Sequence, residues 1–150
     1  MKKIIIILSI ILIAGCGAKK QDQLDYKCEK VTINKDYTYK EVIGYYSFED
    51  GEASKILFME DYIPSTSETS LAVINSTVSK KENGLSKYDD LTFNKETVNS
   101  KIFVDYNIKF SEKNMELLKE DEQFKKYIEN GLFRTDLYIE DLVINGYTCS

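Results

Sequence analysis

The segment KIFVDYNIKF, residues 101–110, has an apolar residue at every even position, while four of its odd positions carry Lys, Asp or Asn. Successive side chains of a β-strand point to opposite faces, so this pattern predicts a strand with one buried face and one face in water. A sheet that is covered on one face only is typical of antiparallel strands. The segment therefore predicts an antiparallel sheet.

The first half of the chain predicts further strands of the same sheet. Residues 24–33 and 37–49 are rich in Tyr, Val, Ile and Thr, which favour strands. Asp50–Gly51 follows them, and this pair suits a two-residue hairpin turn because both central residues of a type I′ turn need positive φ. We therefore expect the chain to turn back into a strand over residues 54–63, which ends at Pro64.

Apolar residues at helical spacing predict helices over residues 65–84, 111–131 and 135–146, and a capping-box pattern at residues 65–68 opens the first of them. In the second segment, Asn130–Gly131 is expected to end the helix because glycine adopts the left-handed conformation of a helix cap. A charged run at residues 119–123 interrupts the apolar stripe, so two shorter helices are the alternative. Residues 24–150 thus predict a single α+β domain: an antiparallel sheet of four to five strands with two to four helices packed on one face.

The N-terminus has the parts of an export signal. A pair of lysines precedes an apolar run over residues 4–14, and this run is shorter than the roughly 20 residues that a membrane-spanning helix needs. The sequence Ile13-Ala14-Gly15-Cys16 looks like the lipobox of bacterial lipoproteins, in which the cysteine is lipidated and the chain is cut before it. An uncleaved hydrophobic anchor with an incidental cysteine is the alternative.

The lipobox predicts how the chain is held at the membrane. We expect a signal peptide over residues 1–15, a lipidated Cys16 at the mature N-terminus and a flexible tether over residues 16–23. Several acyl chains on one residue, at about 0.8 kcal/mol per buried methylene, would hold the protein stably on the bilayer. The predicted location is the extracytoplasmic side of the cell membrane.

The two remaining cysteines are Cys28, in the first predicted strand, and Cys149, the penultimate residue. An exported chain enters a compartment where thiols are oxidised, so this pair predicts one disulfide that fastens the end of the chain to the first strand. A reactive or metal-binding thiol pair is the alternative, although the chain has no Cys-x-x-Cys motif and no histidine.

The net charge and the composition of the chain argue against several classes of protein. The chain has a net charge of −5, and removal of Lys2 and Lys3 with the signal leaves −7, which argues against a protein that follows nucleic-acid phosphates. The absence of histidine removes the usual base of nucleophilic triads and the commonest transition-metal ligand, so we expect no catalytic site, metal or cofactor. Acidic pairs such as Glu60–Asp61 and Glu140–Asp141 are expected on solvated faces and turns.

Tyrosine is the most marked bias, with 11 Tyr, 7 Phe and no Trp. Tyr37, Tyr39, Tyr45 and Tyr46 all lie in the predicted strand over residues 37–49. Exposed tyrosine rings bring much contact area at a low cost in conformational entropy, so these four are a possible binding surface. Packing on a half-buried sheet is the alternative.

A lipobox, a strand that carries Cys28 and a final helix that leads into NGYTC, residues 145–149, resemble the YehR-like family of small bacterial lipoproteins. The resemblance implies an α+β domain displayed at the cell envelope, and it implies no catalytic residues.

A predicted location at the membrane, with no recognisable set of catalytic residues, indicates a binding or interaction module rather than an enzyme. We expect it to contact an envelope protein through a strand edge or exposed tyrosines. The alternative is a carrier of small molecules or lipids with a pocket between sheet and helices. A histidine-free enzyme ranks last.

Overall fold

The structure is a computed structural model that describes residues 26–47, 53–65 and 67–150. The predicted signal peptide, the lipidation site Cys16, the tether and the predicted turn at Asp50–Gly51 lie outside the described residues. In the described ranges, no helix is both long enough and apolar enough to cross a membrane.

The described ranges contain eight strands, three α-helices and one short 3-10 helix. The strands are β1 (Tyr26–Ile33), β2 (Tyr37–Ser47), β3 (Ala53–Pro64), β4 (Thr92–Val98), β5 (Lys101–Lys109), β6 (Ile128–Glu129), β7 (Leu132–Phe133) and β8 (Thr148–Cys149). The helices are α1 (Ser67–Leu85), α2 (Glu112–Glu120) and α3 (Thr135–Ile144), with the 3-10 helix at Lys125–Tyr127. The main sheet has the order β4-β5-β3-β2-β1-β8, and all its neighbouring strands are antiparallel.

The predicted α+β class is confirmed, but the main sheet has six strands among the described residues rather than four to five. The unpredicted strand is β4, an edge strand in which six of seven residues are exposed, so its sequence lacks the alternation that marks a half-buried strand. Asn99 and Ser100 join it to β5 with φ of 49° and 65°, the positive values of a type I′ hairpin turn. The sixth strand is the two-residue β8.

The second predicted helix is shorter than expected. Helix α2 begins after the cap residue Ser111, whose hydroxyl accepts a hydrogen bond from the Asn114 amide at 3.3 Å, and it ends at Glu120. The prediction that Asn130–Gly131 ends a helix is wrong, because these residues form the turn of the β6–β7 hairpin with φ of 52° and 80°. A pair that tolerates positive φ serves a hairpin as well as a helix cap.

One hydrophobic cluster joins the inner face of the sheet to all three helices. Its members include Ile56, Phe58, Val104 and Ile108 from the sheet and Ile74, Val78, Leu118 and Leu142 from the helices. The outward-facing Val42 is also buried but does not belong to this cluster. The helices therefore pack against the same face of the sheet.

The end of the chain returns to the first strand. Cys149 pairs with Cys28 in the β1–β8 ladder, and their sulfur atoms lie 2.08 Å apart, which is the length of a disulfide bond. Two backbone hydrogen bonds between Lys27 and Ser150, at 3.0 and 2.8 Å, extend the contact. The structure thus brings the predicted cysteine pair together and adds β8 to the sheet.

Candidate functional site

Glu60 lies on β3 among side chains that point into the core. Strand alternation places it in line with Ile56, Phe58 and Tyr62, and its side chain is 0% exposed. The expectation that Glu60–Asp61 is a solvated pair is therefore wrong for Glu60. The signal was present in the sequence, because Glu60 shares the even positions of the strand with the apolar residues.

The buried Glu60 carboxylate accepts three hydrogen bonds. The Tyr62 hydroxyl donates to Oε2 at 2.9 Å, the Tyr106 hydroxyl donates to Oε1 at 3.2 Å, and the Lys81 ammonium on α1 also donates to Oε1. An ionised carboxylate only accepts hydrogen bonds, so these donors suit the charged form. A charge out of water persists only when it is paired and hydrogen-bonded. Glu60, Lys81 and Tyr106 are called the buried triad below.

A cleft of about 210 Å³ adjoins Lys81 and is called the tyrosine cleft. Its lining comes from β2, β3 and α1: Tyr37, Tyr39, Tyr62, Thr77 and Lys81. The Tyr62 ring centroid lies 5.5 Å from that of Tyr37 and 4.9 Å from that of Tyr39. Thr77 and Lys81 are four residues apart on α1 and so share one helix face. Four of these five residues are partly exposed, which leaves the cleft open to solvent.

A second carboxylate lies beside the first. Glu41 on β2 is directly opposite Glu60 in the strand pairing, and such neighbours on one face have Cβ atoms about 5 Å apart. Glu41 accepts a hydrogen bond from the Tyr147 hydroxyl. Lys81 is the only ion-pair partner of either acid within the described ranges. The inner face of the sheet therefore has excess negative charge at this point.

The negative charge of these acids affects the pKa values of the tyrosine hydroxyls around them. Burial raises the pKa of Tyr39, Tyr62 and Tyr106, and the negative charges of Glu60 and Glu41 raise each of these pKa values further. The three hydroxyls therefore stay protonated at physiological pH. They remain hydrogen-bond donors toward the carboxylates.

The four tyrosines proposed from sequence do not form one surface. Tyr37 and Tyr39 line the tyrosine cleft. Tyr45 lies on the same face of the sheet but near its other end, where its ring stacks on Tyr26 at 6.1 Å. Tyr46 points to the opposite face, with the Lys55 ammonium 4.1 Å from its ring centroid.

Thr77 and Lys81 were not singled out from sequence, because a polar residue beside an apolar helix stripe is ordinarily at the surface. In the described part of the chain, no group of three or more Cys, Asp or Glu side chains is arranged to hold a metal ion.

The chain matches no protein-family model, and comparisons with curated proteins and with solved structures found no match. A role for the cleft is therefore inferred from its own geometry and charge.

Proposed function

We propose that this chain is a lipid-anchored protein of the bacterial envelope that binds a small ligand in the tyrosine cleft. The observation that supports binding is an open cleft with three tyrosine rings in its lining and a buried ion pair at its side. Apolar walls with a few fixed polar groups are the usual composition of ligand sites. The cleft volume of about 210 Å³ lies below the roughly 300–1,000 Å³ of typical ligand pockets, so we expect a small ligand.

Two matched substitutions test the site. Tyr37→Ala removes a ring from the cleft, whereas Tyr46→Ala removes a ring from the opposite face of the same strand. Fragments that bind the wild-type chain in a ligand-observed NMR screen are expected to lose affinity for the Tyr37→Ala variant and to keep it for the Tyr46→Ala variant. Equal loss in both variants, or no fragment binding at all, would contradict the proposal.

The proposed membrane anchor is inferred from the lipobox, and a separate experiment tests it. The intact mass of the protein extracted from membranes is expected to correspond to a chain that begins at Cys16 and carries acyl groups. A Cys16→Ser variant should keep residues 1–15 and lack the lipid. A wild-type chain with residues 1–15 still attached and no added acyl mass would rule out the anchor.

A protein partner at the sheet edge is the second candidate function. Strand β4 is the end strand of the main sheet and six of its seven residues are exposed, so one side of its backbone has no strand partner among the described residues and suits strand addition. A photo-cross-linker at Glu96 is expected to capture one reproducible envelope protein in cells. The same cross-linker at Lys113 on α2 is the control, and identical products from both positions would count against this function.

A further inference from the structure

We propose that the tyrosine cleft binds an organic ammonium ion, which takes the place of the Lys81 ammonium beside Glu60. This inference rests on the proposed ligand-binding function and specifies the charge and chemical class of the ligand. A primary or methylated amine, free or as part of a lipid headgroup, has the required chemistry.

The molecule already holds an ammonium group at this position. The Lys81 Nζ atom lies 5.8 Å from the ring centroid of Tyr39 and 5.6 Å from that of Tyr106, and it donates to the Glu60 carboxylate. Aromatic faces attract cations at distances up to about 6 Å, and such rings are the common means of recognising quaternary ammonium ions. Lys81 thus marks a position whose surroundings suit a positively charged nitrogen.

Lys81 is able to leave this position. Its side chain is 27% exposed and sits on a helix at the border of an open cleft, so rotation of its long stem returns the ammonium to water. Glu60 has no such freedom, because its side chain is 0% exposed and lies within the sheet. A departing lysine leaves a buried carboxylate that a cation in the cleft can neutralise.

The surrounding charge favours a cation over an anion. Glu60 and Glu41 are opposite each other on the inner face, and Glu41 has hydroxyl donors, Tyr147 among them, but no paired cation among the described residues. Neither acid lines the cleft, and Lys81, the charged residue that does, is already paired with Glu60, so the Glu41 carboxylate leaves net negative charge beside the cleft. Like charges in a poorly solvated site repel strongly, which disfavours an anion, whereas a cation reduces the repulsion between the two acids.

The first experiment compares two ligands of the same shape. Choline and 3,3-dimethyl-1-butanol differ only in a charged nitrogen against a neutral carbon. Isothermal titration of the full-length chain in a non-ionic detergent is expected to show choline binding about tenfold more tightly than the alcohol. Equal affinities would overturn the ammonium inference and leave the ligand-binding function standing. Absence of binding by both, together with a failed fragment screen, would remove the two proposals together.

Variants then locate the binding position. Lys81→Met removes the internal competitor, and choline affinity should rise by at least about tenfold, the gain expected when the lysine vacates its place no more than one-tenth of the time. Glu60→Gln keeps the shape of the side chain without its charge and should abolish the preference for choline over the alcohol. This variant tests whether choline binds beside Glu60 even if Lys81→Met does not fold. Lys87→Met, a change at an exposed ion pair, is the control and should leave choline affinity unchanged. Unaltered choline binding in Glu60→Gln would overturn the assignment.

Vesicles distinguish the two sources of the ligand. Phosphatidylglycerol vesicles, with or without phosphatidylethanolamine, are added to the choline complex. Release of choline only by the amine-bearing vesicles identifies a lipid headgroup, whereas retention with both identifies a free amine. Equal release by both vesicle types would indicate an anion-dependent effect and would contradict the inference.

Discussion

The buried triad has a counterpart near the surface. Asp121, after α2, accepts hydrogen bonds from the Lys87 ammonium at 2.7 Å and from the Tyr88 hydroxyl at 3.0 Å, so the same three chemical groups meet twice. The surroundings differ, because the lysine and acid side chains are 43% and 21% exposed in this surface triad but 27% and 0% in the buried triad.

The difference shows that burial, rather than the set of residues, determines how much such a triad contributes to the stability of the fold. Water solvates the surface triad, and an exposed ion pair adds at most about 1 kcal/mol. Removal of one partner from a buried pair leaves an uncompensated charge and costs about 3 to 5 kcal/mol. The buried triad also contributes Lys81 to the lining of an open cleft.

The largest expected effect on stability comes from loss of the disulfide. This bond holds the end of the chain, and with it the Tyr147 contact with Glu41, on the side of the buried triad. Replacement of Cys28 and Cys149 by serine is expected to lower the free energy of unfolding by about 4 to 5 kcal/mol, because the bond joins residues 121 positions apart. Urea unfolding measures the loss. The wild-type chain in excess reductant should match the variant, and an unchanged midpoint on reduction would show that no disulfide forms.

The next effect distinguishes the two triads directly. Lys81→Met leaves the Glu60 carboxylate buried without its cation and is expected to lower the free energy of unfolding by about 3 kcal/mol. The double variant Glu60→Gln with Lys81→Met should recover part of this loss, since it removes the unpaired charge. Lys87→Met is the matched control, with an expected loss of less than about 1 kcal/mol. Equal losses in the two lysine variants would mean that water reaches both triads.

The smallest effect depends on pH. Partial burial raises the pKa of Asp121, but hydrogen bonds from Lys87, the Gln123 amide and Tyr88 outweigh burial and hold this pKa below its ordinary value of 3.8. The stabilisation is therefore complete above this ordinary value, which the unfolded chain has, and is lost as the pH falls through the lower folded-state pKa. Asp121→Asn should cost about 1 kcal/mol at neutral pH and less in acid.

Unfolding at a series of pH values measures this dependence. Asp141, which pairs with Lys126 and Tyr127 at a more exposed position, provides the control, and Asp141→Asn should give a smaller loss with the same sign of pH dependence. A loss from Asp121→Asn that is the same at neutral and acid pH would show that the charge of Asp121 is not what stabilises the triad.

Local sequence predicted much of the fold. The alternation over residues 101–110 gave β5, and the spacing of Leu71, Ile74 and Val78 gave α1. Strand β4 could not be read in this way because its residues are mostly exposed, and an edge strand is held by pairing with β5 rather than by a buried face. The turn at Asn130–Gly131 was misassigned because positive φ is common to hairpin turns and helix caps.

The sequence alone determined the antiparallel sheet, the order of its long central strands along the chain and the single pairing left to Cys28 and Cys149, since each follows from local periodicity or from a count. Only the tertiary structure decided which tyrosines share a surface, because adjacent residues such as Tyr45 and Tyr46 point to opposite faces of a strand. It also brought Lys81, from a helix, to the acid Glu60 on β3. The buried ion pair depends on contacts between residues far apart in sequence, and no local pattern carries that information.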